Sequence, residues 1–199
     1  MIAIIDYGMG NLRSVQKALE KVGATARITQ DTTVIRSADK VVLPGVGAMQ
    51  PAMEQLAALG LIPAIKEAIA SEKPFLGICL GFQLLFERSS EGGSTSGLGA
   101  LKGSVERFSA LKIPQIGWNQ LKIKKNGSPL LKGIEQMSHV YFCHSYFVLP
   151  SDPGIIAATT QYGIDFASSI AAGNLFGVQF HPEKSQTVGL RILKNFHEL

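Results

Sequence analysis

The sequence predicts an α/β fold with a mainly parallel central sheet, helices on both faces and an antiparallel β extension in its second half. Three observations predict it. Residues 2–5 and 75–78 are short continuous apolar runs, and in the strand at 40–43 Lys40 leads into Val41-Val42-Leu43, as suits strands covered on both faces. Stretches with helical apolar spacing lie between them. From Gly103 onward the texture changes to β-branched and aromatic runs separated by turn residues.

Taken in order, the first strand is residues 2–5, and the turn Asp6-Tyr7-Gly8-Met9-Gly10-Asn11 follows it. Leu12, Val15, Ala18, Leu19 and Val22 recur at helical spacing, with Asn11 or Ser14 as cap and Gly23 as stop. Gly8 and Gly10 do not complete a dinucleotide-binding pattern. Residues 24–29 and 40–43 are the next strands, and the latter runs into Pro44-Gly45-Val46-Gly47. Helical patterns over 49–59 and 62–70 lead to the strand at 75–78, after which 80–86 switches to helical spacing. Ser89 to Gly97 reads as an exposed mobile loop. Strands are expected over 105–108, 116–123, 140–148 and 155–159, with a hairpin around Gly173-Asn174 and a closing helix lined by Val188, Ile192, Leu193 and Phe196. No internal repeat or domain break interrupts residues 1–199, so a single domain is expected.

The chemistry centres on Gly77-Ile78-Cys79-Leu80-Gly81. A strand that turns directly into a helix cramps the backbone at its corner, and glycines two positions to either side relieve the clash. Such an elbow presents the Cys79 sulfur at the end of the sheet. The helix N-terminus behind it would favour thiolate, the reactive form. The Leu80 N–H is placed for a developing oxyanion, and the backbone of Val46-Gly47 reads as a second donor from a neighbouring strand end, with an ordinary glycine-rich loop before a helix as the alternative. A buried structural cysteine in a glycine-containing turn is the alternative.

A cysteine nucleophile needs a base, and His181 in Phe180-His181-Pro182-Glu183 follows an apolar strand just as Cys79 does. Proline keeps this segment extended, so positions 181 and 183 point the same way and Glu183 can orient the imidazole. His139, His144 and His197 lack carboxylate or cysteine partners at ligand spacing, so no metal site is expected. Cys143, in Tyr141-Phe142-Cys143-His144, reads as a packed strand thiol.

Two cysteines and no secretory leader point away from a disulfide framework and towards a reducing cytoplasm. The formal net charge is +4 with dispersed basic residues. The short Lys122-Ile123-Lys124-Lys125 group suits a solvated hairpin face better than a nucleic-acid site, because no aromatic residues interleave it. No membrane span and no cofactor are expected.

Gly77 to Gln83, taken with Gln179 to Glu183, resembles the paired signatures of class I (triad type) glutamine amidotransferases. Residues 5–15, 43–49 and Pro114-Gln115-Ile116-Gly117-Trp118-Asn119 narrow the resemblance to the glutaminase subunits of imidazole glycerol phosphate synthases, of histidine biosynthesis. It covers residues 2 to about 196. The resemblance implies a flavodoxin-like sheet and a Cys79, His181, Glu183 triad that releases ammonia from glutamine through a thioester. It also implies oxyanion donors at Val46, Gly47 and Leu80, and substrate contacts at Gln83, His144, Ser145 and Tyr146. The implied partner is a (β/α)₈ cyclase subunit in a heterodimer, met by Asn11, Trp118, Asn119 and Lys184. A glutaminase of another pathway, a cysteine hydrolase on a similar fold and a non-catalytic subunit are the competing readings. Residues 6–15 and 114–119, Glu183, and the complete triad respectively weigh against them.

Overall fold

The computed structural model describes residues 1–109, 111–124 and 128–199. In the first half, β1 (Ile2–Ile5), α1 (Leu12–Lys21), β2 (Ala26–Thr29), α2 (Thr32–Ser37), β3 (Lys40–Gly45), α3 (Met49–Ala58), α4 (Ile62–Ala70), β4 (Phe75–Cys79) and α5 (Leu80–Gln83) alternate as expected for parallel α/β architecture. The second half contributes β5 (Phe86–Ser89), β6 (Thr95–Ser96), β7 (Leu101–Arg107), β8 (Gln115–Gln120), β9 (Lys122–Ile123), β10 (His139–His144), β11 (Tyr146–Pro150), β12 (Ile156–Tyr162), β13 (Ile164–Ala172), β14 (Leu175–Val178) and α6 (Gln186–Glu198).

Parallel pairing runs β2-β1-β3-β4-β14, and β14 is the strand that carries the chain up to His181. Beyond β14 the same sheet continues through the antiparallel strands β13 and β11 to β7, with β5 and β6 outermost. A separate antiparallel pair, β8 and β10, stands apart from it. Along β1, Ala3 and Ile5 pack with α2, α3 and α4, whereas Ile2 and Ile4 pack with α1 and α6. Every residue of β1 and β4 is therefore buried, which is why these strands read as unbroken apolar runs and not as alternating ones.

Several sequence expectations need correction. The helix expected over 80–86 is one turn, α5, and the chain then becomes β5. All residues from 80 to 86 are buried, so the apolar spacing reflected general burial and not one helical face. The neighbouring segment takes up the freed backbone: the Leu98 and Leu101 N–H groups donate to the Leu84 and Leu85 carbonyls at 2.8 and 2.9 Å. α2 escaped the sequence reading because it buries only Ile35, although Asp31 caps it by accepting from the Thr33 N–H at 2.8 Å. Residues 89–97 are largely exposed, as expected, but contain a strand: Ser89 pairs with Thr95, and the Glu91 carboxylate accepts from the Met49 N–H at 2.7 Å. The strand expected over 140–148 breaks at Ser145 into β10 and β11. Of the two cap candidates, Asn11 is the N-cap residue of α1, although its side chain makes no capping hydrogen bond. Of the basic group, Lys122 pairs with Asp165 at 3.1 Å, while Lys125 lies outside the described residues. No described helix is long and apolar enough to cross a membrane.

Candidate active site

β3, β4 and β14 end side by side, and their carboxyl ends carry the site. Cys79 closes β4 with φ 54° and ψ −110°, a backbone conformation that residues with side chains rarely adopt. The flanking glycines show why the sequence tolerates it. A methyl group at Gly77 would meet the Gly81 carbonyl and the Phe82 backbone at 2.8 to 2.9 Å, and one at Gly81 would run into the Leu43 carbonyl. Cys79 is 5% exposed, and its sulfur lies 3.9 Å from the Cys143 carbonyl oxygen and 3.9 Å from the Gln179 side-chain amide nitrogen. Because α5 is four residues long, the macrodipole invoked from sequence is small. Polarisation of the thiol falls instead to the imidazole.

His181 follows β14, and its main-chain N–H donates to the Tyr141 carbonyl at 2.9 Å. The ring Nδ1 is 2.8 Å from Glu183 Oε1, with the two side chains 4% and 1% exposed. The local geometry differs from the extended segment expected. Residues 182–184 form a 3-10 turn, and this turn, not strand alternation, brings the carboxylate under the ring. Burial alone would lower the His181 pKa. Hydrogen bonding to Cys79 and Glu183, together with their charges, outweighs it and raises the value to about 10. At neutral pH the ring is imidazolium.

Cys79 and His181 open on one cavity of about 280 Å³, a size suited to a small polar substrate. Val46 and Gly47 form one wall, and His144, Ser145 and Tyr146 another. Leu80 has a core side chain; only its N–H, the first of the helical turn and without an acceptor inside it, is available to the site. Gln83 does not line the cavity. Its side-chain nitrogen donates to the Tyr146 carbonyl at 2.8 Å and to Gln179 Oε1 at 3.1 Å, so it stands behind the wall as a strut. His144 donates from Nδ1 to the same carbonyl at 2.7 Å. Burial, followed in smaller measure by the charge on His181, lowers its pKa to about 4 despite that bond, so it is neutral.

Glu91 also lines the cavity, a contribution the sequence reading missed because a Gly- and Ser-rich stretch surrounds it. Cys143 corrects a second expectation: it is exposed, not packed, and its residue belongs to the cavity wall. A larger hollow of about 360 Å³ at the opposite ends of β4 and β14 has no cysteine, serine, threonine or histidine among its described walls. No grouping of potential metal ligands occurs among the described residues.

Beside the cavity, the register of β8 with β10 sets Trp118 against Tyr141 and Ile116 against Cys143 on one face. Ile116 is 62% and Trp118 47% exposed, while Lys184 Nζ lies 5.7 Å from the centre of the Tyr141 ring. Asn119 lies on the other side of the strand, and its side-chain nitrogen donates to the Gln161 carbonyl at 2.9 Å. Asn11 is exposed at the start of α1.

Residues 3–199 match the family model for class I glutamine amidotransferases. The chain belongs to that family. Among related class I glutamine amidotransferases, the imidazole glycerol phosphate synthase subunit HisH of Syntrophotalea carbinolica is 51% identical, with all of both chains covered. The protein of that name from Moorella thermoacetica is 52% identical over 100% of this chain and 94% of its own, and that from Thermosynechococcus vestitus 53% over 98% and 95%. The fold agrees with solved structures. A crystal structure of a glutamine amidotransferase superposes with a TM-score of 0.78 at 18% identity, covering 100% of this chain and 98% of that one. The structure of PurLQS from Thermotoga maritima gives 0.76 at 20%, covering 99% and 95%. The amidotransferase fold thus bears out the expected central sheet with helices on both faces and an antiparallel extension.

Proposed function

We propose that this chain is the glutaminase subunit of an imidazole glycerol phosphate synthase. It hydrolyses glutamine to glutamate and ammonia and hands the ammonia to a cyclase subunit in histidine biosynthesis. The observation that carries the chemistry is the convergence of Cys79, on its strained corner, with the His181–Glu183 pair at one small cavity. The relatives' names supply the enzyme, imidazole glycerol phosphate synthase.

In this reading the Cys79 thiolate, paired with the His181 imidazolium, adds to the side-chain amide carbon of glutamine. The oxyanion is received by N–H groups of Leu80 and of the Val46–Gly47 stretch, each worth roughly 2.7–4 kcal/mol in comparable sites. His181 gives its proton to the departing nitrogen, the C–N bond breaks, and ammonia leaves a γ-glutamyl thioester. The now neutral His181 takes a proton from water, whose oxygen displaces the sulfur and releases glutamate. Glu183 holds the ring and offsets its charge throughout.

Ser145, Tyr146 and the neighbouring backbone receive the α-carboxylate end. His144 and Gln83 brace that wall through the Tyr146 carbonyl. The Glu91 carboxylate offers an acceptor to the substrate ammonium.

Ammonia free in water at neutral pH is mostly protonated and not nucleophilic, so release into a sealed interface suits the chemistry. The apolar face of Ile116, Trp118 and Tyr141 borders the cavity and fits a partner surface, with Lys184 and Asn11 at its margin. We take the chain as one catalytic unit acting in a reducing cytoplasm as half of a heterodimer, with no cofactor. Glutamate release should be measured with and without a cyclase barrel and its nucleotide ligand. Stimulation by the barrel supports the reading; no glutamate under either condition refutes it.

A further inference from the structure

Tyr7, in the Asp6–Val15 stretch, has no task in the proposed reaction. It is fully buried, and its hydroxyl has no hydrogen-bond partner. A buried O–H without an acceptor is destabilising, so phenylalanine would serve better were shape alone required. The hydroxyl sits against the α-carbon of Gly45, where any added methyl group would run into it and would also meet the Leu80 β-carbon at 3.0 Å and the Gly81 nitrogen at 3.1 Å. Gly45 is the ladder partner of Cys79 and the residue from which Val46 and Gly47 extend. The phenol therefore lies beneath the junction of the elbow and the loop. Burial, and to a lesser degree the charge on Cys79, push its pKa upward, so it remains a neutral donor.

We propose that Tyr7 is a positioning residue for the reaction. Its hydroxyl is held ready for a carbonyl of the Gly45–Val46 backbone and, with glutamine in the cavity, fixes the Val46–Gly47 N–H groups towards the oxyanion. Tyr7 does not line the cavity, so it acts through that backbone and not on the substrate. The inference rests on the glutaminase reading above.

The test is Tyr7→Phe in the full chain, assayed beside the wild type for glutamate release with the cyclase partner present. The kcat should fall by about tenfold or more, as expected when an oxyanion donor is misplaced, with KM within about twofold. The unfolding midpoint should stay level or rise, and the pH profile of Cys79 alkylation by iodoacetamide should not move. Unchanged kcat overturns the proposal. So does a kcat loss with a lowered midpoint, which makes the hydroxyl merely structural, or a displaced alkylation profile, which makes the thiolate its target. Were the wild type itself inactive, the glutaminase reading would fall first and this inference with it; an active wild type matched by Tyr7→Phe defeats this inference alone.

Discussion

Glu183 Oε1 lies 2.8 Å from His181 Nδ1, with the carboxylate side chain 1% exposed. Against the lowering effect of burial, the neighbouring Cys79 sulfur and that carboxylate raise the imidazole pKa to about 10, from 6.5 for the free side chain. The pH dependence of activity should follow from this. The alkaline limb of kcat/KM is expected near pH 10, where the imidazolium loses the proton destined for ammonia. In Glu183→Gln the limb should move towards neutrality and the rate fall roughly 10²–10⁴-fold. A wild-type alkaline limb near 6.5 would break the link between this pair and catalysis.

The same pair bears on stability. A histidine whose folded pKa is raised contributes stability fully below its unfolded value near 6.5, and that contribution is lost as pH rises towards 10. Urea unfolding between these values should therefore show stability declining with pH. Glu183→Gln should flatten the decline, and an unchanged slope in the variant would assign it to other groups.

Gly81→Ala tests the corner. The added methyl group meets the Leu43 carbonyl, a backbone atom that cannot swing aside, so the loss should be on the order of 3 kcal/mol or more by denaturant unfolding. Wild-type stability in this variant would mean that the corner has room the geometry denies.

Much of this site was legible in the sequence. The elbow announces itself because two glycines must flank a cramped corner, and His181 because an apolar strand delivers it to the same sheet end. What stayed hidden depends on contacts between distant segments. Glu91 sits in a glycine-rich stretch and becomes part of the cavity only because β6 folds back on β5 and the Met49 N–H holds the carboxylate. The exposure of Cys143 follows from the pairing of β10 with β8 away from the main sheet, which no periodicity within residues 139–144 records. The 80–86 segment misled because uniform burial imitates helical spacing.

Trp118→Ala tests the partner face. Loss of a half-exposed aromatic anchor should weaken cyclase binding by about 2 kcal/mol, roughly 30-fold in Kd, by titration calorimetry. Glutamate release by the isolated chain should not change. Undiminished affinity would place the interface elsewhere.

Cys79→Ser should reduce glutamine-dependent synthesis by the complex roughly 10³-fold or more, while synthesis from added ammonium salts persists. Loss of both would mean that the residue supports docking or folding and not the release of ammonia.

Exposure and chemistry point to different thiols as the nucleophile, since Cys143 is exposed and Cys79 nearly closed off. Incubating the chain with a glutamine analogue bearing a reactive ketone, then mapping the adduct by peptide mass, decides between them. The structure predicts modification at Cys79, protected by glutamine; an adduct confined to Cys143 would contradict it.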